Sequence, residues 1–245
     1  MARRDGVALS LLGFAVALAG FLLGPPFLTN EVGLAPDFTG QEAVDLFTPV
    51  VTMALFVLAV ELTGRSGTWL RVLVVAAIAV WVSGQGIHLA ANAIGDVFRE
   101  GPARDAFYAT PPGALDHYLD EIVSHWLWHV GWLALLLGLL WVGVTGQRDD
   151  TEPRVMANAL AGLGGVVHGF TWFVVTDEGR TWPLVIPATI VLLGLAFFIR
   201  RRDGSGRVIT TFLVVGTVVT LVLYAAWVLV AGWEPKSIID QLNVL

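Results

Sequence analysis

Seven stretches of this chain are long and apolar enough to cross a bilayer: roughly residues 7–28, 43–63, 69–94, 118–144, 154–176, 181–199 and 207–232. A spanning helix needs about 20 predominantly apolar residues. In hydrocarbon every backbone N–H and C=O must be satisfied within the protein, which for separate segments of this length means α-helix. The expected fold is therefore all-α, a polytopic membrane protein of seven transmembrane helices. The connections are short and rich in Gly, Pro and Asp, such as Thr63-Gly64-Arg65-Ser66-Gly67 and Arg201-Arg202-Asp203-Gly204-Ser205-Gly206; only the 95–117 connection is long. No internal repeat or linker divides the chain, so residues 1–245 read as one domain.

Arginine placement sets the expected orientation, because Lys and Arg collect at cytoplasmic ends. Seven alternating crossings put Arg3, Arg4, Arg65, Arg71, Arg148, Arg154, Arg200, Arg201, Arg202 and Arg207 on one side, against Arg99, Arg104, Arg180 and Lys236 on the other. That bias places the N-terminus in the cytoplasm and the C-terminus outside, with the plasma (cytoplasmic) membrane as the expected location. The acids lean the other way: Glu31, Asp37, Glu42, Asp96, Glu100, Asp105, Asp116, Asp120, Asp177, Glu178, Glu234 and Asp240 fall at or beyond the outer ends. An acidic mouth attracts cations. A cleaved signal peptide is the alternative for the first span, since Arg3-Arg4 precede an apolar run. That run is long and ends in Gly24-Pro25-Pro26 without a small-x-small site, which favours a retained span.

Several chemistries are excluded. The chain has no cysteine, which removes disulfides, thiolate zinc sites, iron–sulfur clusters and cysteine nucleophiles. Imidazole, carboxylate and amide groups are left to bind any metal. A net charge of -6, with no basic patch or Gly-rich phosphate loop, argues against nucleic acid. The bilayer is the expected partner, with 56% of residues hydrophobic and only 14% charged, where soluble domains carry about 25% charged.

Four of the five histidines, His88, His125, His129 and His168, lie inside the apolar segments. Ionisable groups at membrane depth are costly and mark functional sites. In the fourth span His117, Glu121, His125 and His129 follow one another at intervals of four, which puts them on one slowly winding helix face. Gln85, His88, Asn92 and Asp96 share a face of the third span, and the fifth contributes His168 with Thr171 and Trp172 beside it. At about 1.5 Å per residue, His88, His125 and His168 lie on the order of 9 to 12 Å below the outer surface, with His129 about one turn deeper.

Imidazoles converging from three helices form a ligand set for zinc or another divalent transition metal, and histidines at i and i+4 make a bidentate half-site. On this reading His88, His125, His129 and His168 are metal ligands, with His168 also able to move a proton. Glu121, one turn nearer the mouth than His125, is a further ligand or a general base. Gln85 and Asn92 orient the imidazoles. His168 taken alone also fits an interhelical hydrogen bond. His117 reads as interfacial, Asp120 as facing away from the stripe, and Asp45 and Glu61 as interfacial. Gly162, Gly164 and Gly165, with Ala157 and Ala161, make the fifth span small-sided, which lets a neighbouring helix approach.

The run Ser124-His125-Trp126-Leu127-Trp128-His129 resembles the His-x-x-x-His helix of the intramembrane metal hydrolases that group alkaline ceramidases with progestin/adiponectin-receptor-like and haemolysin III-type proteins. Those are similarly seven-helix proteins with a further zinc histidine and nearby Ser and Asp on an early element, to which Ser83, His88 and Asp96 are a loose match. The helix order differs, since in that superfamily the His-x-x-x-His helix is the last and here it is the fourth. Ser83 points well away from the face of His88, and His168 has no counterpart there. The resemblance implies a metal-dependent hydrolase with a lipid amide or ester as substrate.

Three further function classes stay open at this stage. Paired histidines can clamp a b-type haem axially, giving a redox protein. The acidic mouth and polar stripe also suit a metal-cation or proton transporter or sensor, although the inner half of the bundle carries no comparable polar stripe. A structural subunit of a larger complex is the remaining class. Retinal binding is disfavoured because the seventh span has no lysine for a Schiff base; Lys236 lies beyond its end.

Overall fold

The computed structural model of this protein describes residues 3–28, 30, 32, 39–64, 67–98, 101–145, 155–203 and 207–232. Over these residues the chain is all-helical: α1 (Arg3–Leu23), α2 (Gly40–Leu62), α3 (Thr68–Asp96), α4 (Pro102–Tyr108), α5 (Pro111–Tyr118), a π-helical segment (Leu119–Ser124), α6 (His125–Val144), α7 (Val155–Glu178), α8 (Trp182–Asp203) and α9 (Arg207–Ala231). Seven helical segments are long and apolar enough to span a membrane, with α5, the π segment and α6 forming one continuous span from Pro111 to Val144. The protein is thus an integral membrane protein by length and composition of its helices. Of the charges used to orient the chain, Glu31, Asp37, Arg65, Arg99, Glu100, Arg148, Arg154, Glu234, Lys236 and Asp240 lie outside the described residues.

The start of the fourth span differs most from the expectation. Helix begins at Pro111, because Thr110 accepts a hydrogen bond from the Gly113 N–H at 3.2 Å and prolines fill the first helical positions. The polar run Asp116, His117, Asp120, Glu121 is therefore helical, and α4 and α5 fold back on each other at one end of the bundle, here termed the hairpin end. Phe98 and Phe107 stack there with ring centroids 4.2 Å apart. At the same end α2 opens on a capping box, in which the Thr39 N–H donates to Glu42 at 2.6 Å. At the opposite end Arg71 pairs with Glu61 at 3.0 Å across the α2–α3 turn; both are exposed, so the pair contributes little stability.

The core is apolar in the half away from the hairpin, where Val7, Leu11, Val60, Leu139, Val142 and Ile209 pack together. Two glycine contacts organise the rest. On α7, Gly164 lies against the backbone of Leu12 on α1 and Gly165 against the Phe212 carbonyl on α9, as the small-sided fifth span requires. Between α3 and α6, a Cβ on Gly84 would stand 2.6 Å from the Ser124 carbonyl oxygen and 2.7 Å from the Trp128 nitrogen. A Cβ on Gly131 would stand 2.6 Å from the Trp81 nitrogen. The two backbones touch at both points, which only residues without a side chain permit. That crossing lies one turn below His88 and fixes the distance between α3 and α6 where the polar residues begin.

Candidate active site

Above the glycine crossing, α3 presents His88 and the π segment presents Asp120. The His88 Nδ1–H donates to Asp120 Oδ1 at 2.6 Å, and the Asn92 amide donates to His88 Nε2 at 3.1 Å. Asp120 is 9% exposed and His88 31%. The expectation that Asp120 faces away is therefore wrong, and its cause is local. In regular α-helix the residue five positions before His125 points well off its face. The i→i+5 turn of Leu119–Ser124 winds more slowly and carries Asp120 round toward α3. The hydroxyl of Ser124 bonds the Asp120 carbonyl within this segment.

The same turn breaks the expected stripe of His117, Glu121, His125 and His129. His117 is exposed and packs on Tyr108 of α4, with centroids 5.1 Å apart. His125 lies beside His88, the ring centroids 5.1 Å apart, and its other side rests on Gly179, where a Cβ would come within 3.1 Å of the ring. Glu121 is half-buried and within electrostatic reach of both imidazoles. His129 is buried one turn deeper, its ring 5.0 Å from that of Trp172 and its Nε2 3.5 Å from the Thr176 hydroxyl.

The tautomers follow from the partners. His125 Nδ1 contacts the Glu121 carbonyl at 2.9 Å and His129 Nδ1 contacts the His125 carbonyl at 2.8 Å. A carbonyl oxygen only accepts, so each Nδ1 carries the proton and each Nε2 of the neutral ring keeps its lone pair. His88, tied through Nδ1 to a carboxylate, has the same polarity. All three rings are held through Nδ1; Nε2 of His88 accepts the Asn92 amide and Nε2 of His129 lies 3.5 Å from the Thr176 hydroxyl, so of the three only Nε2 of His125 has no hydrogen-bond partner among the described residues.

His168 stands apart from these three. It lies near the middle of α7, among Phe14, Trp132, Trp172 and Phe212, and Trp132 Nε1 donates to its Nε2 at 3.1 Å. An indole N–H only donates, so Nε2 is the acceptor and is already engaged. Trp172 touches both His129 and His168, and indole rings fill the space where a shared chamber was expected. The expected four-histidine ligand set is thus not assembled, and the interhelical hydrogen bond anticipated as the alternative for His168 is what the structure contains. Among the described residues, no three His, Asp or Glu side chains stand close enough together to hold one metal ion. Trp132→Phe deletes the donor together with the pyrrole half of a buried indole, which adds a cavity cost to the lost hydrogen bond. It should lower stability by about 1–3 kcal/mol through the unpaired His168 nitrogen, read as a lower melting temperature in detergent, with His88 and His125 unaffected.

Asp45, expected at the interface, is buried on α2 within electrostatic reach of His88. The site as built therefore comprises His88 and Asn92 on α3, Asp120 and Glu121 in the π segment, His125 on α6 and Asp45 on α2, with His129 beneath. Such a group can accept, donate and relay protons beside a substrate at the bundle end, and Nε2 of His125 carries a lone pair with no partner among the described residues. Asp120 and Asp45 are the residues that spacing alone missed.

No family model and no solved structure matches the chain. Over 44 residues the chain is 51% identical to an O-antigen ligase of Pseudomonas aeruginosa, a stretch that covers 18% of this chain and a tenth of the length of that protein.

Proposed function

We propose that the protein is an intramembrane metal-dependent hydrolase acting on a lipid-like substrate, with its site in the outer half of the bundle. One observation carries this reading: His88, His125 and His129 are each tethered through Nδ1 to an oxygen, which is how metal-binding imidazoles are held. His88 and His125 would hold the ion through Nε2, the His88 nitrogen exchanging its Asn92 hydrogen bond for the ion, with Glu121 as a further ligand or as the base. Zinc is the best match to imidazole and carboxylate donors without thiolate. Bound there, the ion would polarise a substrate carbonyl and lower the pKa of a bound water.

The chain's own residues do the remaining work. Asp120 fixes the ring of His88 and balances charge on it. Glu121, half-buried between the imidazoles and the bundle end, takes or returns a proton. Trp128 and Trp172 close the floor of the site against His129 and keep water out of the bundle below. A site below the headgroups favours substrates that reside in the bilayer. The resemblance of the His125–His129 run to intramembrane metal hydrolases supports the same substrate class.

Metal analysis tests the reading. Protein expressed with added zinc should retain about one equivalent per chain, and the combined His88→Ala, His125→Ala variant should retain only a trace. Metal-free wild type, or an undiminished complement in the variant, overturns the proposal. A Soret band in the visible spectrum of the same sample would replace it with haem binding.

A further inference from the structure

The end of α7 holds a backbone conformation that its residue does not favour. The helix closes in a Schellman turn: the Arg180 N–H donates to the Asp177 carbonyl and the Thr181 N–H to the Thr176 carbonyl, both at 3.1 Å. The residue at the centre of such a turn is left-handed and usually glycine. Here it is Arg180, at φ 49°, and no other non-glycine residue among those described has a positive φ. A glycine does stand in the turn, but one position early, at 179. A Cβ there would press on the His125 ring at 3.1 Å and on the Val175 carbonyl oxygen at 3.2 Å. Gly179 thus makes the seat of His125, and the left-handed position falls to an arginine. Strain of this kind clusters at ligand sites, where the surrounding structure maintains it.

No intramolecular contact accounts for the arginine. It is exposed, and its guanidinium makes no hydrogen bond or ion pair with a described residue. Asp177 and Glu178 beside it are engaged with other groups. Arg104, the other described arginine at the hairpin end, donates to the Tyr108 hydroxyl at 3.2 Å and lies over that ring. Carboxylates dominate this end of the bundle, among them the buried Glu42, Asp45, Asp116, Asp120 and Asp177. An uncommitted arginine there selects the kind of headgroup that they repel. Its charge is permanent, and its planar fork of N–H donors matches the oxygens of a phosphate. Gly179, the next residue in the chain, touches the ring of His125. We infer that Arg180 binds the phosphate of a phospholipid headgroup and so anchors the lipid beside His125. This rests on the reading of a lipid-like substrate given above, and it makes that substrate an anionic phospholipid.

The test is binding of a fluorescent short-chain phosphatidylglycerol to the full chain in neutral detergent, compared with the matching diacylglycerol that lacks phosphate. A metal chelator is present throughout. Wild type should prefer the phospholipid by about tenfold or more. Arg180→Gln and Arg180→Gly should lose that preference, and Arg180→Lys should keep part of it. Arg71→Gln, at the opposite end of the bundle, should keep it whole. Without lipid, Arg180→Gly should melt above wild type, because glycine adopts the left-handed conformation without strain. A preference that survives in Arg180→Gln and Arg180→Gly overturns the assignment. Loss of the preference together with a lower melting temperature in Arg180→Gly overturns it as well, since the arginine would then serve the C-terminal end of α7 by its charge. Displacement of the labelled lipid by an equal concentration of inorganic phosphate would overturn the lipid as the source of the anion. The chelator keeps the outcome separate from the metal reading: zinc retention can fail while the preference stands, and the reverse.

Discussion

Gly84→Val should dismantle the candidate site without altering any of its polar residues. A Cβ at position 84 would lie 2.6 to 3.0 Å from the Ser124 carbonyl oxygen and the Trp128 nitrogen and Cα, all backbone atoms, so no rotamer change relieves the clash. The helices must separate or slide, and His88 and Asp120, one turn above on opposite sides of the crossing, separate with them. Overpacking costs typically about 1–3 kcal/mol and occasionally more; a β-branched residue against rigid backbone belongs at or above the upper end. Gly131→Ala strikes the same seam from α6, where its Cβ would meet Trp81 backbone at 2.6 Å. Gly138→Ala is the control: on α6 as well, its Cβ would meet only Val74 and Leu70 methyl groups at 3.6 and 3.9 Å. The expected result is a large drop in melting temperature and loss of zinc retention for the first two, and near-neutral behaviour for the third. Equal tolerance at all three positions would mean that α3 and α6 are not held by this crossing.

Hydropathy made the bundle legible because each span must satisfy the same burden in lipid, and seven apolar runs of the right length leave few alternatives. The expected fourth span, 118–144, is too short because Pro111-Pro112-Gly113 and Asp116 look like part of a loop. The overlooked signal was Thr110 followed by two prolines, a helix start. His88, His125 and His129 stood out as imidazoles in apolar surroundings, and the structure brings the first two side by side. Asp120 was assigned to the wrong face because angular arithmetic assumes an α-helical turn throughout, and nothing in Leu119–Ser124 announces an i→i+5 turn. His168 stands out by the same criterion and is expected as a ligand, but its partner is Trp132, 36 positions away on another helix. Periodicity places residues on faces; it does not say which faces meet.

Asp120→Ala should weaken zinc binding about 10–100-fold, the usual cost of removing the group that orients a liganding imidazole. The three Nδ1 tethers are not equivalent. Those of His125 and His129 run to backbone carbonyls one turn earlier on their own helix, so no substitution removes them. The tether of His88 is a side chain, and it is the one that crosses between helices. Asp120→Asn should lose less than Asp120→Ala, because the amide oxygen still accepts the Nδ1 proton while the negative charge is gone. The difference between the two variants separates orientation from charge. A double-mutant cycle with His88→Ala sharpens the result: once the ring is absent, Asp120→Ala should cost zinc affinity almost nothing further, since an orienting residue acts only through the ligand that it holds. Additive losses in that cycle would instead place Asp120 on the ion itself, and the hydrogen bond to His88 would then belong only to the metal-free state.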